Sequence, residues 1–170
     1  MQSEKPVYLL LGSNLGDRLH IMHTAVEMLA EAVGNVTAMS SVYETAPWGV
    51  LDQPAFLNQV VEVHTTLAAE EVLRLVLEIE HELGRVRYER WGARVIDIDI
   101  LFLGNHVQDS ARLTVPHPRL HERRFTLVPL VELIPFYVHP VLEKTLSELL
   151  ETCTDDSDVH VFSGNNSIAD

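Results

Sequence analysis

The alternation of two apolar periods along the chain is the feature that most restricts its fold. Residues 19–33 and 68–83 carry apolar side chains at spacings of three and four, the period of one buried helical face. Segments of strand character lie before, between and after them, at 8–11, 36–45, 56–66 and around Asp97. The order strand, helix, strand, strand, helix, strand predicts an α+β, ferredoxin-like core with both helices on one face of an antiparallel sheet.

Beyond this core the sequence predicts a C-terminal extension of loops and short helices. Five prolines between positions 116 and 140 interrupt it, and one short helix is expected near residues 145–150. A chain of 170 residues can bury a real core, so we expect a single domain over residues 1–153. Residues 154–170 are polar and acidic, and we expect them to form a flexible tail.

Charge and cysteine content argue against several classes of partner. The chain has 12 basic residues against 25 acidic ones, and its net charge of -13 disfavours nucleic-acid binding. No stretch approaches the roughly 18 apolar residues of a membrane span, and the short apolar run at 7–11 does not predict a signal peptide. The single cysteine, Cys153, cannot form an intrachain disulfide, which favours a cytoplasmic setting. We expect a monomer that binds small molecules.

The strand around Asp97 carries the first indication of chemistry. Asp97 and Asp99 alternate with isoleucines at 96, 98 and 100, so both carboxylates are expected on one face of the strand. Two such charges, roughly 6.6 Å apart, repel by about 2 to 3 kcal/mol at an effective dielectric of about 20. Arginines or divalent cations must compensate them. Mg²⁺, which takes one or two carboxylates plus substrate phosphates, fits best.

Arginine placement supports the same interpretation. Guanidinium groups bind phosphate oxygens through paired, planar hydrogen bonds, so an arginine cluster beside the aspartates predicts a pocket for a Mg-complexed polyphosphate. Surface ion pairs with the many glutamates are the alternative, each of them worth little. The cluster comprises Arg85, Arg87, Arg90, Arg94, Arg112, Arg119, Arg123 and Arg124.

Two further motifs admit structural explanations. Residues 12–16 are glycine-rich but lack the lysine of a Walker phosphate loop, so we expect turn glycines followed by Asp17 as a helix N-cap. His117 and His121 have a spacing that could hold zinc on a helix, but the prolines beside His117 argue against a helix there. His117 remains a candidate donor to phosphate.

A planar ligand is suggested by a second group of residues. Trp48 and Phe56 bracket a loop rich in proline and glycine, and Asn58 is expected on the same strand face as Phe56. A carboxamide offers both a donor and an acceptor to the edge of a heterocycle. Core packing is the alternative for the aromatic side chains.

Five motifs, in one order, resemble the 6-hydroxymethyl-7,8-dihydropterin pyrophosphokinases of folate biosynthesis. They span roughly residues 7–135. The motifs are GSNLG at 12–16, YETAPWG at 43–49 with DQPAFLN at 52–58, the segment 84–94, DIDIL at 97–101, and LTVPHPRL at 113–120 with Arg123 and Phe125.

The resemblance implies a ferredoxin-like fold and transfer of the β,γ-pyrophosphoryl group of ATP to the hydroxymethyl oxygen of the pterin, with release of AMP. It also implies that Asp97 and Asp99 hold two Mg²⁺ ions, with Arg85 and Arg94 beside them at the catalytic centre. The ATP-binding residues that it implies are Glu80, Arg87, Arg90, Trp91, Ile100, Arg112, Thr114, His117 and Arg123. The pterin-binding residues that it implies are Thr45, Ala46, Trp48, Asn58, and the pair Phe56 and Phe125 on the two faces of the ring.

Two departures and two alternatives accompany the resemblance. Ala46 stands where a proline is common, and the stretch between Arg87 and Trp91 is one residue shorter than in some members. A non-catalytic ferredoxin-like binding module is one alternative, but it would have no use for the Asp97 and Asp99 pair. An ordinary γ-phosphate kinase is the other, and it would release ADP rather than AMP.

Overall fold

The computed structural model describes residues 3–14, 16–45, 55–85 and 96–163 of the chain. The core elements are β1 (Lys5–Ser13), α1 (Arg18–Ala32), β2 (Asn35–Met39), β3 (Tyr43–Thr45), β4 (Phe56–Thr65), α2 (Ala69–Arg85) and β5 (Asp97–Leu103). The extension contains β6 (Gln108–Asp109), β7 (Thr114–Val115), a 3-10 turn at Leu120–Glu122, α3 (Arg124–Leu133), α4 (Leu146–Glu151) and β8 (Val159–Val161).

The sheet confirms the predicted core. Its strands run in the order β5, β1, β4, β3, β8, and β2 also pairs with β4. Every pairing within it is antiparallel. The two inner strands are β1 and β4, which is the ferredoxin-like arrangement. The predicted strand at 36–45 is divided into β2 and β3. Between them, the Val60 N–H donates to the Ser40 hydroxyl at 3.0 Å rather than to a backbone carbonyl, and this interrupts the regular strand pairing.

Both core helices lie on one face of the sheet, as predicted. The Asp17 side chain accepts from the His20 N–H at 3.3 Å and so caps α1. Gly16 before it has φ 66°, as the predicted turn requires. Side chains of α1, α2 and the sheet form one apolar core, in which Leu9, Met22 and Val72 are fully buried. Each such side chain stabilises the fold by about 1.5 to 3 kcal/mol.

The extension covers the other face of the sheet. Leu127 and Leu130 of α3 and Leu146 of α4 pack against Tyr8 and Phe102 in a second core. β1 is therefore buried on both faces, which explains its continuous apolar run. One expectation needs correction: Pro129 was expected to break the chain, but it lies inside α3.

The expectation of a flexible tail from residue 154 differs from the structure. β8 pairs with β3, and Val159 is opposite Thr45. Asp155 also accepts a hydrogen bond from the backbone of Arg124. The segment up to residue 163 is therefore part of the fold, and residues 164–170 lie outside the described ones. Among the helices described, none has the length and apolar character to cross a membrane.

Candidate functional site

A cavity of about 880 Å³ opens on the sheet face that α3 and α4 cover. Along that face the side chains of three neighbouring strands, β5, β1 and β4, change from apolar to polar. β1 runs from Tyr8 and Leu10 to Gly12, β4 from Val60 to Asn58, and β5 from Leu101 to Asp99. The helices bury the apolar end, and the polar end forms the floor of the cavity. The described lining residues are Leu10, Gly12, Thr45, Phe56, Asn58, Asp97, Asp99, Arg119, Glu122, Arg123, Phe125, Thr154 and Asp155.

The two aspartates lie where their alternation with isoleucine predicts. Asp97 and Asp99 are half-buried and both line the cavity, while Ile98 and Ile100 are buried in the core on the opposite face. The Ile98 N–H donates to the Glu80 carboxylate at 2.6 Å, so α2 is tied to the start of β5. The Ile100 side chain faces away from the cavity, and a side-chain contact with ATP there is not supported.

Gly12 lies between the candidate pterin and metal residues. It is opposite Asn58 on one side and Asp97 on the other. A β-carbon on Gly12 would lie 2.7 Å from the Asn58 amide nitrogen, so any other residue at position 12 would force the Asn58 side chain to shift. This glycine was expected to serve a turn, but it lies within β1 and makes room for the Asn58 side chain.

An aromatic pair and a threonine with a buried hydroxyl belong to the lining of the same cavity. Phe56 comes from β4 and Phe125 from α3. The Arg123 guanidinium lies 5.8 Å from the Phe125 ring centroid, within cation–π range. The Thr45 hydroxyl is buried and has no hydrogen-bond partner in the described part of the chain. Such a group costs about 1 to 3 kcal/mol unless something bonds to it.

His117 lies close enough to Asp99 for the two groups to interact electrostatically. Burial lowers the pKa of His117, Asp99 opposes this shift, and Arg123 and Arg119 add to it. Its Nδ1 atom accepts from the Arg119 N–H at 3.2 Å. The neutral ring therefore carries its proton on Nε2, and this atom is a donor, as a phosphate contact requires.

Some predicted site residues lie away from the cavity or outside the described residues. Arg112 is 3.8 Å from Glu70, and Thr114 is in β7, where its hydroxyl approaches Asp109. Neither lines the cavity. Arg85 is the last residue of α2, and nothing further is described for it. The predicted residues outside the described ranges are Ala46, Trp48, Arg87, Arg90, Trp91 and Arg94.

Six of the described lining residues were not predicted to contact a substrate or metal, although Arg119 belongs to the predicted arginine cluster: Leu10, Gly12, Arg119, Glu122, Thr154 and Asp155. Arg119 and Glu122 are three residues apart and form an ion pair at 2.9 Å, a spacing visible in the sequence. Thr154 and Asp155 belong to the expected tail. Burial raises the pKa of Asp155, but hydrogen bonds from Ser157 and the Arg124 backbone outweigh it and hold the pKa below its ordinary range.

Comparison with known proteins agrees with these features. The family model for 7,8-dihydro-6-hydroxymethylpterin-pyrophosphokinase matches residues 8–135. The 2-amino-4-hydroxy-6-hydroxymethyldihydropteridine pyrophosphokinase of Bacillus subtilis is 48% identical over 127 residues, which are 74% of this chain and 76% of that protein. The enzyme of the same name from Aquifex aeolicus is 42% identical over 142 residues, 84% of this chain and 88% of that one.

A solved structure with a similar fold is the wild-type HPPK-DHPS of Plasmodium falciparum, with a TM-score of 0.73 at 18% identity. The likeness covers 89% of this chain but only 45% of that one, and at this identity it shows the fold alone. The family match covers well over half of the chain, and the curated relatives agree with it. The resemblance found in the sequence is thereby confirmed, and the chain belongs to the 7,8-dihydro-6-hydroxymethylpterin-pyrophosphokinase family.

Proposed function

We propose that the cavity between β5 and the start of α3 is the active centre of this pyrophosphokinase. The family reaction transfers the pyrophosphoryl group of ATP to the hydroxymethyl group of 6-hydroxymethyl-7,8-dihydropterin, a step in folate synthesis. AMP is the other product. One observation carries the assignment: two aspartates, two phenylalanines and Thr45, whose buried hydroxyl has no hydrogen-bond partner in the described chain, line one cavity.

The pterin is assigned to the side of the cavity formed by β3, β4 and α3. Phe56 and Phe125 offer aromatic faces to a flat bicyclic ring. The buried Thr45 hydroxyl and the Asn58 carboxamide offer hydrogen bonds to its polar edge. A pterin bonded to Thr45 would satisfy a group that is otherwise without a partner in the described structure, and this supports the orientation.

The triphosphate is assigned to the side of β5, His117 and Arg123. The Arg123 guanidinium and the His117 Nε2–H are donors that suit phosphate oxygens. From the resemblance, Arg85 and Arg94 complete this set, together with Glu80, Arg87, Arg90 and Trp91. The resemblance also assigns Arg112 and Thr114 to ATP, although neither lines the described cavity. Ala46 and Trp48 are likewise assigned to the pterin.

Asp97 and Asp99 fit a magnesium site. Over the described residues, no group of three or more His, Cys, Asp and Glu side chains is arranged to hold a metal. Two carboxylates alone suit Mg²⁺, which keeps waters and takes its remaining ligands from substrate phosphates. We propose that the pair holds two ions, which when bound would neutralise charge on the transferred group and on the leaving AMP oxygen.

The protein's own contribution is alignment. Phosphoryl transfer leaves little covalent work for side chains, so the rate depends on holding acceptor oxygen, β-phosphorus and leaving group in line. The aromatic pair would fix the pterin, and the arginines and His117 would fix the triphosphate and stabilise its charge. The walls formed by residues 119–125 and 154–155 would limit the access of water.

The decisive experiment incubates the protein with ATP, Mg²⁺ and the hydroxymethyl-dihydropterin and identifies the nucleotide product. AMP formation that is lost in Asp97→Ala supports the proposal. ADP would indicate a γ-phosphate kinase, and pterin binding without any nucleotide product would indicate a binding module. Asp156→Ala is a matched control, because Asp156 is exposed and does not line the cavity.

We further propose that the enzyme acts as a cytoplasmic monomer. The single cysteine supports a reducing compartment, and a net charge of -13 is unfavourable for binding nucleic acid. Light scattering on the purified chain, with and without both substrates, tests the oligomeric state. A stable dimer would overturn that part of the proposal.

A further inference from the structure

The segment between α4 and β8 reaches both aromatic sides of the cavity. At its start, Thr154 and Asp155 line the cavity beside α3. At its end, Val159 pairs with Thr45, and Thr45 in turn pairs with Phe56 across β3 and β4. A short piece of chain thus connects the element that carries Phe125 with the strands that carry Phe56.

Asp155 connects this segment to the start of α3. One of its carboxylate oxygens accepts from the Arg124 N–H at 2.9 Å. The other accepts from the N–H of Ser157 at 3.0 Å and from the Ser157 hydroxyl. Both oxygens are engaged by the protein itself, so the carboxylate acts on α3 rather than on a ligand.

The start of α3 needs this contact, because the helix does not cap itself. The first N–H groups of a helix have no partner within the helix and carry partial positive charge. Arg123 occupies the N-cap position without a capping hydrogen bond, Arg124 follows it, and the first turn of this fully described helix contains no acidic residue. Two guanidinium groups at this end are unfavourable, and Asp155 supplies the missing acceptor and charge from 31 positions along the chain.

The capped residue lies between two residues of the site. Arg123 and Phe125 flank Arg124, and both line the cavity. The hydrogen bond from the Arg124 N–H to Asp155 holds the backbone at this point, and it therefore helps to orient the side chains of both neighbours, Arg123 and Phe125. β8 holds the other end of the same segment against β3, so the separation of Phe125 from Phe56 depends on this connection.

We propose that Asp155 is a positioning residue for pterin binding, which holds Phe125 against the Phe56 side of the cavity. Arg123, assigned to the triphosphate, is held by the same contact, but it is one of several candidate phosphate donors, so ATP binding should depend less on Asp155. The inference rests on the proposed function, because it takes the cavity to be the pterin site. Asp155 touches neither substrate and acts only through the start of α3.

The test compares Asp155→Ala, Asp155→Asn and Asp158→Ala for the KM of each substrate, kcat and stability. We expect Asp155→Ala to raise the pterin KM about tenfold, equivalent to about 1.4 kcal/mol, which is in the range of a lost N-cap. The KM for ATP should rise less. Asp155→Asn should recover part of the loss, because its single oxygen can still accept from the Arg124 N–H, whereas its NH2 group cannot accept from Ser157 and the negative charge is gone. Asp158 is a matched control, since its side chain is 84% exposed and its carboxylate lies 3.2 Å from the exposed His160 ring.

A second variant keeps the test valid if Asp155→Ala folds poorly. Arg124→Pro removes the donor N–H, and proline is well tolerated at the first position of a helix. The extended backbone of Arg123, with φ -121° and ψ 112°, is compatible with a following proline. We expect Arg124→Pro to raise the pterin KM as well, and Asp155→Ala to add less than about twofold in that background.

The possible outcomes separate this proposal from the proposed function. If the protein without substitutions forms no AMP, the proposed function is overturned. An active chain whose pterin KM is unaffected by Asp155→Ala and Arg124→Pro overturns the positioning role. A loss of stability with equal changes in the KM for both substrates would also overturn it, because it would show a structural cap and nothing more.

Discussion

Gly12 and Asn58 face each other across β1 and β4 so closely that a β-carbon on residue 12 would lie 2.7 Å from the Asn58 amide nitrogen. That nitrogen is 3.4 Å from the Leu11 carbonyl oxygen, and the Asn58 side chain is almost wholly buried. The strand therefore provides the space in which a candidate pterin-binding amide lies.

Gly12→Ala should displace the Asn58 amide. We expect the pterin KM to rise about tenfold or more, as the loss of one buried hydrogen bond allows, with a smaller effect on the KM for ATP. Steady-state kinetics with each substrate varied in turn measures both values. Gly84→Ala is a control for stability, since no described residue lies within 4 Å of a β-carbon there and alanine favours α2 by roughly 0.5 to 1 kcal/mol. Equal pterin KM values for Gly12→Ala and the unchanged protein would contradict the assignment of Asn58.

Asp99→Asn should abolish turnover while leaving the fold intact. We expect AMP formation to fall by at least about 100-fold, or about 2.7 kcal/mol, because a neutral amide binds Mg²⁺ far less well than a carboxylate does. Asp99 is half-buried on the cavity floor, so its replacement removes no core contact. Chemical denaturation without Mg²⁺ measures the fold, and a discontinuous assay measures AMP. An Asp99→Asn enzyme with normal turnover would place the metal elsewhere.

The free energy of unfolding should decrease as the pH is lowered from about 6.5 to about 4, because His139 titrates differently in the folded and unfolded chains. Burial, with a contribution from His121, lowers the pKa of His139 to about 4, so the unfolded chain binds this proton more readily. The group stabilises the fold at neutral pH and loses that contribution as pH falls, by up to about 3 kcal/mol. Protonation would also break two hydrogen bonds, because Nδ1 accepts from the N–H groups of Val141 and Leu142 and a protonated ring cannot accept.

His139→Asn separates titration from structure. An asparagine oxygen can take the position of Nδ1 and accept from the same two N–H groups, but it does not titrate. The free energy of unfolding, measured by urea denaturation from pH 4 to 7, should vary less with pH in this variant than in the unchanged chain. Identical pH profiles would show that another group causes the dependence.

Tyr43→Phe should destabilise the fold more than Tyr137→Phe does. The Tyr43 hydroxyl donates to the Glu132 carboxylate at 2.7 Å, and burial together with this bond raises the pKa of Tyr43 to about 12. The Tyr137 hydroxyl donates to a neutral acceptor, the Gly104 carbonyl, at 2.8 Å. Bonds to charged groups contribute about 1.5 to 3 kcal/mol and neutral ones about 0.5 to 1.5 kcal/mol. Urea denaturation at pH 7 gives the order, and the reverse order would refute this account.

Local sequence patterns were sufficient to predict the elements of the core. Each of these elements is specified by the spacing of residues close together in the chain. The spacing of apolar residues in α1 and α2 and the alternation of Asp97, Ile98 and Asp99 each indicate one buried face without knowledge of the rest of the chain. The N-cap at Asp17 is equally local, since donor and acceptor are three residues apart.

Contacts between distant parts of the chain could not be predicted in this way. Pro129 suggested an interruption, but packing of α3 on the second face of the sheet maintains a helix through it. The acidic composition after residue 153 suggested a tail, because nothing near Asp155 in the sequence indicates that its partner is Arg124.

The order of patterns along the chain thus determined the core topology and the strand face on which Asp97 and Asp99 lie, since both depend on periods of two and of three to four residues. The tertiary structure decided which length of that face is sealed by α3 and α4 and which remains an open cavity. It also decided that Thr154 and Asp155 line the cavity and that β8, which follows them, pairs with β3. These outcomes depend on surfaces that meet only after the chain has folded, and no local spacing encodes them.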